Sequence, residues 1–415
     1  MLRQLHGATQ GTQGGVWVIC IWGVTQMGDF SSKLTILRKP FNVLRLDNSR
    51  CRLYEEHLSQ RLNQRYTMTN KLKFFIVTAI LFLTTQSAYA DSRVRAIQQK
   101  LSELGYQPGI ADGIWGKNTE AALNLYLSSK GLTFDGTIDA NELELLEIFS
   151  FRYNIDKSLP KAWVTEFKNI LGILQEVLPI DENINKYVKN STMDIYTWNS
   201  KVKNPFSNKR GMSGASISGD GRTRWMVLEI PENEFKYDSL HRYSVIVHEY
   251  FHVYQIGLSK DRMDPKWLTE GGAKVIEEMF VEQYYGRSSL EGDLKRPELW
   301  SDEAFTDPKL YERFETSSER TSDGWMDMNY AGSAFMFLTL VKELQKNNIS
   351  EQEAFKLAFK DFWIEKSKEL NWNKAFENTF DMSTETFYER LSKYSRKDVK
   401  KILPSKSLKI QDIFD

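Results

Sequence analysis

Two histidines four residues apart, His248 and His252, constrain the fold of this 415-residue chain more than any other feature of its sequence. On an α-helix, residues at positions i and i+4 lie on the same face, so both imidazoles can point at one metal ion. Glu249 completes the pattern His-Glu-x-x-His, and its carboxylate lies where it can take a proton from a water molecule on that ion. The pattern predicts a helix that carries a metal site; the alternative is a surface helix that has this spacing without binding metal.

A third ligand is needed, because a catalytic zinc ion has three protein ligands and one open position. Glu270 stands eighteen residues after His252. Before it, Asp264-Pro265 supplies an N-cap residue and a proline for the first helical position, which predicts a helix from there to Gly286. Glu270 then lies in the early turns of that helix, where a short connection can bring its carboxylate back to the first helix.

Gly271 and Gly272 follow this glutamate directly. Inside a helix, each glycine costs about 1 kcal/mol relative to alanine. A close approach between this helix and the helix that carries the two histidines would explain why two glycines stand here. We therefore expect the two helices to pack closely at these positions.

His-Glu-x-x-His followed by Trp-Leu-x-Glu-Gly-x-Ala, at positions 267–273, resembles the gluzincin peptidases, the group of thermolysin-like and aminopeptidase-like enzymes. The resemblance extends over roughly 160–395 and is strongest over 241–280. It implies an α+β zincin-like domain and a zinc-dependent metallopeptidase, which is a hydrolase. Carried over by position, it also implies a general base at Glu249 and three zinc ligands, which are His248, His252 and Glu270.

A further similarity to the same group lies later in the chain. Tyr330-Ala-Gly-Ser-Ala precedes an apolar helix and is similar to the Tyr-x-x-Gly-Ala stretch whose tyrosine stabilises the tetrahedral oxyanion in those enzymes. The resemblance implies a catalytic role for Tyr330, and a tyrosine that packs in the core is the alternative. The Gly-x-Met-Glu-Asn motif of the exopeptidase branch is absent from the sequence, so nothing indicates aminopeptidase specificity.

The length of 415 residues suggests two or three domains, and the hydrophobic fraction of 41% is enough to form their cores. This composition excludes a disordered chain, a collagen-like chain and a disulfide scaffold. The overall charge of zero is unevenly distributed, since 44 of the 55 basic residues but 51 of the 55 acidic residues lie after position 90. That part has a net charge of about −7, which argues against a nucleic-acid partner.

A candidate export signal begins at Met68. Two lysines are followed by about ten apolar residues at 74–83 and by small residues at Ala88 and Ala90, which is the pattern of a secretory signal peptide over 68–90. The apolar run is shorter than the ~20 residues that span a bilayer. We therefore expect no transmembrane segment in the mature chain.

The residues before this signal, 1–67, lack clear periodicity and contain both cysteines, Cys20 and Cys51. We interpret them as translated upstream sequence, a non-native extension; the alternative is a real N-terminal extension with an internal signal anchor. The mature chain is expected to begin near Asp91 and to contain no cysteine. Export without disulfides fits a periplasmic or secreted bacterial protein.

The first mature module, 91–150, has three short helical patterns separated by glycine turns. Asp-Gly pairs at 112–113 and 135–136 mark the turns. Asp139 and Glu142 have the spacing of a capping box, which opens the third helix. Three helices in a segment of this length predict a small all-α bundle.

This module resembles the peptidoglycan-binding repeat of bacterial wall hydrolases. The similar segments are Gln98–Tyr106, Asp112–Ala122 and Gly131–Gly136. The resemblance implies a non-catalytic anchor that holds the protein on cell-wall glycan or stem peptide, with peptidoglycan as the partner. Trp115 is the aromatic residue that we expect to contact the wall, and simple packing in the core of the module is the alternative.

The second module, 151–415, begins with a helical pattern over 163–178. Three strands are then predicted: Met193–Trp198, Ala215–Ser218 and Thr223–Ile230. After Asp238 the sequence is almost entirely helical in pattern. Strands followed by helices predict an α+β domain.

Four other features of this module have two interpretations each. His241 lies seven residues before His248, so it lines the same cleft or is solvated. Glu277 lies two turns beyond Glu270 and either orients a metal ligand or is a surface carboxylate. Thr223–Ile230 is a candidate edge strand for pairing with a substrate backbone. The basic stretch Lys393–Lys409 either contacts anionic wall polymer or is a solvated helix face.

Together these features predict an exported zinc metallopeptidase, tethered to the cell wall, that hydrolyses peptide bonds by metal-activated water. Its substrates would be wall stem peptides or envelope proteins. One alternative is a non-catalytic peptidoglycan-binding protein with an inactive peptidase-like domain. Another is an amidase or a glycan-acting enzyme, for which paired carboxylates cannot be identified from spacing alone.

Overall fold

The computed structural model describes residues 91–206, 211–296, Glu315 and 328–414, and three short strands nearer the N-terminus. The chain divides into two compact units, Met1–Ser87 and Ala88–Asp415. The first unit contains the three strands, paired antiparallel in chain order: Trp17–Val18, Ile36–Arg38 and Asn42–Leu44. The predicted signal peptide at 68–90 and both cysteines lie outside the described residues.

The N-terminal module of the second unit contains the three predicted helices: α1 (Ser92–Glu103), α2 (Lys117–Ser129) and α3 (Ala140–Leu145). Their apolar faces share a small core that includes Ile97, Leu101, Leu123, Leu127 and Leu146. Asp139 caps α3, and its capping box with Glu142 is formed as predicted.

A buried glutamine organises the first Asp-Gly turn of this module. Gln98 donates to Oδ1 of Asp112 and to Oγ1 of Thr119, both at 3.1 Å, and accepts from the backbone N–H of Gly113 at 2.9 Å. Asp112 also accepts from the backbone N–H of Ile114 at 2.8 Å, and Gly113 has φ +78°. These contacts confirm that the Asp-Gly pair forms a turn.

A four-stranded sheet follows. Its strands are β1 (Ser150–Ile155), β2 (Thr192–Asn199), β3 (Ala215–Gly219) and β4 (Arg224–Ile230). The spatial order is β1-β2-β4-β3, with β1, β2 and β4 parallel and β3 antiparallel to β4. The sheet thus has β1 at one edge and β3 at the other.

Two strand predictions need correction. The strand Ser150–Ile155 was not predicted, and it begins at the last residue of the expected first module. The strand at 224–230 is internal and not the predicted edge, because it lies between β2 and β3. Its residues Met226, Val227 and Leu228 are all fully buried, which is typical of a strand covered on both faces. The antiparallel edge is β3.

Helices make up most of the remaining domain, so the predicted succession of strands and then helices is compatible with the structure. Around and after the sheet lie α4 (Lys161–Val177), α5 (Glu232–Lys236), α6 (His241–Ser259), α7 (Lys266–Tyr285) and α8 (Leu290–Lys295). Towards the C-terminus lie α9 (Ser333–Gln345), α10 (Glu351–Lys356), α11 (Phe362–Lys366), α12 (Trp372–Phe380), α13 (Thr384–Leu391), α14 (Val399–Ile402) and α15 (Ile410–Phe414). Short 3₁₀ turns (Glu182–Tyr187, Arg396–Asp398) and π turns (Met328–Gly332, Leu357–Asp361) complete the described elements.

Helix α6 lies at the centre of this domain, and nearly all of its residues are buried. Tyr250 anchors it by donating from its hydroxyl to the carbonyl of Leu178 at 2.7 Å. Trp163 of α4 donates to the carbonyl of Arg242 at 3.0 Å. The helix is therefore held by hydrogen bonds from its buried neighbours as well as by apolar packing.

Helix α7 confirms the prediction of a helix that ends at Gly286, which has φ +69°. Its start differs by one residue, because Pro265 is the N-cap and Lys266 the first helical residue. Asp264 does not cap the helix; its carboxylate pairs with the buried Lys366 at 3.1 Å. Within the described ranges, no helix combines the length and apolarity that crossing a membrane requires.

Candidate metal centre

Glycines let two other helices approach α7 beside Glu270. A Cβ atom on Gly272 would lie 3.2 Å from the Phe251 ring of α6, as expected for close packing against the histidine-bearing helix. A Cβ atom on Gly271 would lie 2.3 Å from the carbonyl oxygen of Ser333, at the start of α9. A Cβ atom on Gly272 would also lie 3.3 Å from the Phe337 ring of α9, so both glycines face α9 and Gly272 faces α6 as well; only the approach to α6 was predicted.

The predicted ligand atoms converge. Oε2 of Glu270 lies 3.3 Å from Nε2 of His248 and 3.4 Å from Nε2 of His252. One donor atom from each residue falls within 4.8 Å of the others, and all three residues are buried. Donors that each lie 2.0–2.1 Å from a tetrahedral ion are roughly 3.3–3.4 Å apart, so the two glutamate-to-histidine distances match those around a zinc-sized ion.

The second nitrogen of each histidine has its own partner. Nδ1 of His248 lies 3.0 Å from Oε2 of Glu277, and Nδ1 of His252 lies 2.8 Å from Oε1 of Gln255. Acceptors at Nδ1 hold the proton there and leave Nε2 free to bind a metal. Gln255 also donates to the carbonyl of Thr269 at 3.2 Å, which ties α6 to α7.

Glu277 thus contacts a candidate metal ligand, as the first of its two interpretations requires, and it is not a surface carboxylate. Gln255 was not anticipated from the sequence, although its position three residues after His252 on the same helix is a detectable signal. Two lysines were also missed. Lys266 pairs with Glu270 at 3.0 Å, and Lys274 pairs with Glu277 at 2.7 Å.

Opposite charges perturb the pKa values of the residues in this cluster. Burial lowers the pKa of His248, but hydrogen bonds to Glu270 and Glu277 outweigh it and raise that pKa to about 10. Burial raises the pKa of Glu270, but His252 and Lys266 hold it well below its usual range. An imidazole must be neutral to bind a metal, so metal binding here displaces protons.

Glu249, the residue predicted to act as the general base, is buried and lies beside His248 in the sequence. It is 4% exposed, and its Oε2 has no hydrogen-bond partner among the described residues. Burial raises its pKa, while the nearby His252 and His248 lower it. A buried carboxylate oxygen without a partner is costly unless the site uses it.

Tyr330 lies at the rim of the cluster, on the π turn that precedes α9. Its ring centroid is 5.7 Å from that of His248, with the planes inclined at 64°, and the residue is 45% exposed. The structure therefore brings Tyr330 beside His248 without burying it in the core.

The other predicted candidates lie elsewhere. His241 does not join the donors: its Nδ1 pairs with Glu234 at 2.7 Å, and that hydrogen bond raises its pKa against the effect of burial. In the basic stretch 393–409, Lys401 and Lys406 are largely exposed, as a solvated face requires. Trp115 is partly buried and packs against Phe134, with ring centroids 5.6 Å apart.

Residues 90–146 match a family model described as "Putative peptidoglycan binding domain". The matched segment contains α1, α2 and α3, so the N-terminal module of the second unit is a peptidoglycan-binding domain and supports association with the cell wall. No curated protein and no solved structure matches the chain. The buried group of His248, His252 and Glu270 is a geometrically suitable metal site.

Proposed function

We propose that the chain is an exported zinc metallopeptidase that its N-terminal domain holds at the peptidoglycan layer. Its substrates would be wall stem peptides or envelope proteins. The observation that carries the proposal is the convergence of three buried donor atoms at the His-Glu-x-x-His helix, where Oε2 of Glu249 has no hydrogen-bond partner within the described part of the chain.

The donor set favours zinc among common metals. Two imidazole nitrogens and one carboxylate oxygen form the three-ligand set of a catalytic zinc site, whereas magnesium and calcium prefer oxygen ligands. Zinc bound there would polarise a substrate carbonyl and lower the pKa of a bound water. His248, His252 and Glu270 would hold it.

The protein's own groups would then move the protons. Oε2 of Glu249 would accept a proton from the attacking water and pass it to the nitrogen of the leaving amine. Because burial disfavours its charged form, this carboxyl would release the proton less readily to solvent than an exposed one. The hydroxyl of Tyr330 would donate a hydrogen bond to the substrate oxygen as negative charge develops there.

Glu249→Gln tests this assignment, because the amide keeps the shape of the side chain and cannot accept the proton. We expect unchanged zinc content and wall binding, with hydrolysis reduced by at least the 10²–10⁴-fold that a general base contributes. His252→Ala should instead lose stoichiometric zinc. Glu282→Gln, at a more exposed position on α7, is the matched control and should change neither.

Three measurements test these variants. They are metal analysis, binding to peptidoglycan sacculi, and mass spectrometry of the products formed from sacculi, casein and a soluble peptide. Removal of 90–146 should abolish sacculus binding and leave hydrolysis of the soluble peptide intact. An unchanged rate for Glu249→Gln would reject the mechanism. Zinc binding without hydrolysis of any substrate would favour a non-catalytic wall-binding protein.

Export would be checked by N-terminal sequencing of secreted protein, which should begin near Asp91.

A further inference from the structure

The two carboxylate oxygens of Glu270 have different neighbours. Oε2 lies within 3.4 Å of the Nε2 atoms of both His248 and His252, whereas Oε1 lies 3.0 Å from Nζ of Lys266. The carboxylate is 5% exposed and the lysine side chain 19% exposed, so water screens this ion pair little. One oxygen thus faces the metal position, and the other faces a cation.

Helix stability does not explain this lysine. Lys266 is the first residue of α7, where the positive end of the helix dipole disfavours a cation. It also precedes Glu270 by four residues, and a lysine that precedes its glutamate at this spacing gives the weaker order of ion pair. A lysine in this position therefore requires another explanation, which its contact with the ligand carboxylate supplies.

The same arrangement occurs on the other side of His248. Glu277 directs Oε2 to Nδ1 of His248 at 3.0 Å and Oε1 to Nζ of Lys274 at 2.7 Å. Each glutamate that faces this imidazole therefore has a lysine from the preceding turn of α7 on its other oxygen. In both cases one carboxylate oxygen faces the histidine and the other faces a lysine, although Lys274 also pairs with Glu278 at 2.6 Å and Asp293 at 3.6 Å.

We propose that Lys266 is a positioning residue that confines Glu270 to binding the metal through one oxygen. The inference rests on the proposed metal site and adds to it a determinant of coordination number. A carboxylate can bind a metal through one or both oxygens, and the second oxygen would occupy the position that a catalytic site must keep open. By engaging Oε1, Lys266 preserves that position for water or substrate.

Lys266→Met removes the cation and keeps much of the side-chain volume. In the zinc-loaded full chain, crystal structures should show one Glu270 oxygen at about 2.0–2.2 Å from zinc in the wild type and both oxygens near the metal in the variant. In solution, neutral imidazole, titrated against the visible spectrum of the cobalt-substituted protein, should bind at least tenfold more weakly to the variant. Imidazole is chosen because a charged probe would also respond to the lost lysine charge.

Lys266→Arg should restore both properties, because it keeps a cationic donor beside Oε1. Lys295→Met, which breaks an exposed lysine–glutamate pair with Glu291 on α8, should behave as the wild type. If Lys266→Met does not fold, Lys266→Ala serves with the same expectation, and circular dichroism checks the fold. If Glu270 of a folded, metal-bound variant still binds through one oxygen and the imidazole affinity is unchanged, the role of Lys266 is refuted, while the proposed metal site stands. A wild type that binds no metal would overturn the proposed function as well.

Discussion

Replacing Gly271 by alanine tests how the helices around the candidate metal site are held together. The new Cβ would lie 2.3 Å from the carbonyl oxygen of Ser333 and 2.6 Å from its carbonyl carbon. Both are backbone atoms, so no side-chain rotation relieves the contact. To reach the 3.4 Å at which ordinary contact begins, α7 and α9 must separate locally by about 1.1 Å.

That separation sets the expected cost. Adding a methyl group to a well-packed interface costs about 1–3 kcal/mol, and the backbone contact places Gly271→Ala at the upper end. A gap of about 1 Å also forfeits up to about half of the dispersion energy of the affected contacts. Replacing a helical glycine by alanine returns about 1 kcal/mol of helix propensity. We therefore expect the free energy of unfolding to fall by about 2 kcal/mol.

Gly172→Ala is the matched control, because Gly172 lies inside α4 and a Cβ there would meet nothing within 4 Å. It should raise the free energy of unfolding by about 1 kcal/mol through helix propensity alone. Urea unfolding of both variants and the wild type, with metal removed by a chelator, measures the difference. If Gly271→Ala were as stable as Gly172→Ala, the close approach of α7 and α9 would be refuted.

Two further predictions concern buried carboxylates. Glu277→Gln should weaken zinc binding by about 10–100-fold, as loss of a partner to a ligand histidine commonly does. Competition with a chelator measures the affinity, and the control Glu282→Gln should not differ from the wild type. Equal affinity in all three proteins would contradict a role of Glu277 in orienting His248. Burial raises the pKa of Glu343, but Lys346 and Tyr394 outweigh it and hold the pKa below its usual range. Because the folded-state pKa is depressed, the ionised carboxylate stabilises the fold above the unfolded-state pKa of about 4.3, and this stabilisation is lost as the pH falls below that value. Urea unfolding between pH 6 and 3 should therefore show a smaller loss of unfolding free energy for Glu343→Gln than for the wild type. Equal losses in the two proteins would contradict this prediction.

Local signals were enough to predict the elements that carry the site. The four-residue spacing of His248 and His252 requires only a helix to align the imidazoles. Pro265 and Gly286 mark the ends of α7 by restricting the backbone at those two positions. Glu270 could be predicted because the connection between α6 and α7 is short. A short connection keeps the early turns of α7, which carry Glu270, close to α6.

Features that depend on distant parts of the chain were not predictable in the same way. β1 is an edge strand in which only Ser150 and Phe151 are buried, so its burial does not alternate along the strand and its pattern is weak. The internal position of Thr223–Ile230 depends on where β3 pairs, which no local spacing encodes. Asp264 has the residue type of an N-cap, but Lys366, 102 residues later, takes its carboxylate. Only for Asp264 does a distant contact override a local preference; in the other two cases the local sequence carries too little information.

The burial of charge on α7 shows how the site and the fold depend on each other. Lys266, Glu270, Lys274 and Glu277 are spaced by four, four and three residues, so they lie along one face of the helix. In a sequence, a charged stripe of this kind ordinarily indicates a face in contact with solvent. Here the stripe is largely buried, because its alternating signs neutralise one another and its carboxylates face His248. The contacts that compensate this buried charge therefore also bring Glu270 and His248, two residues of the candidate metal site, together.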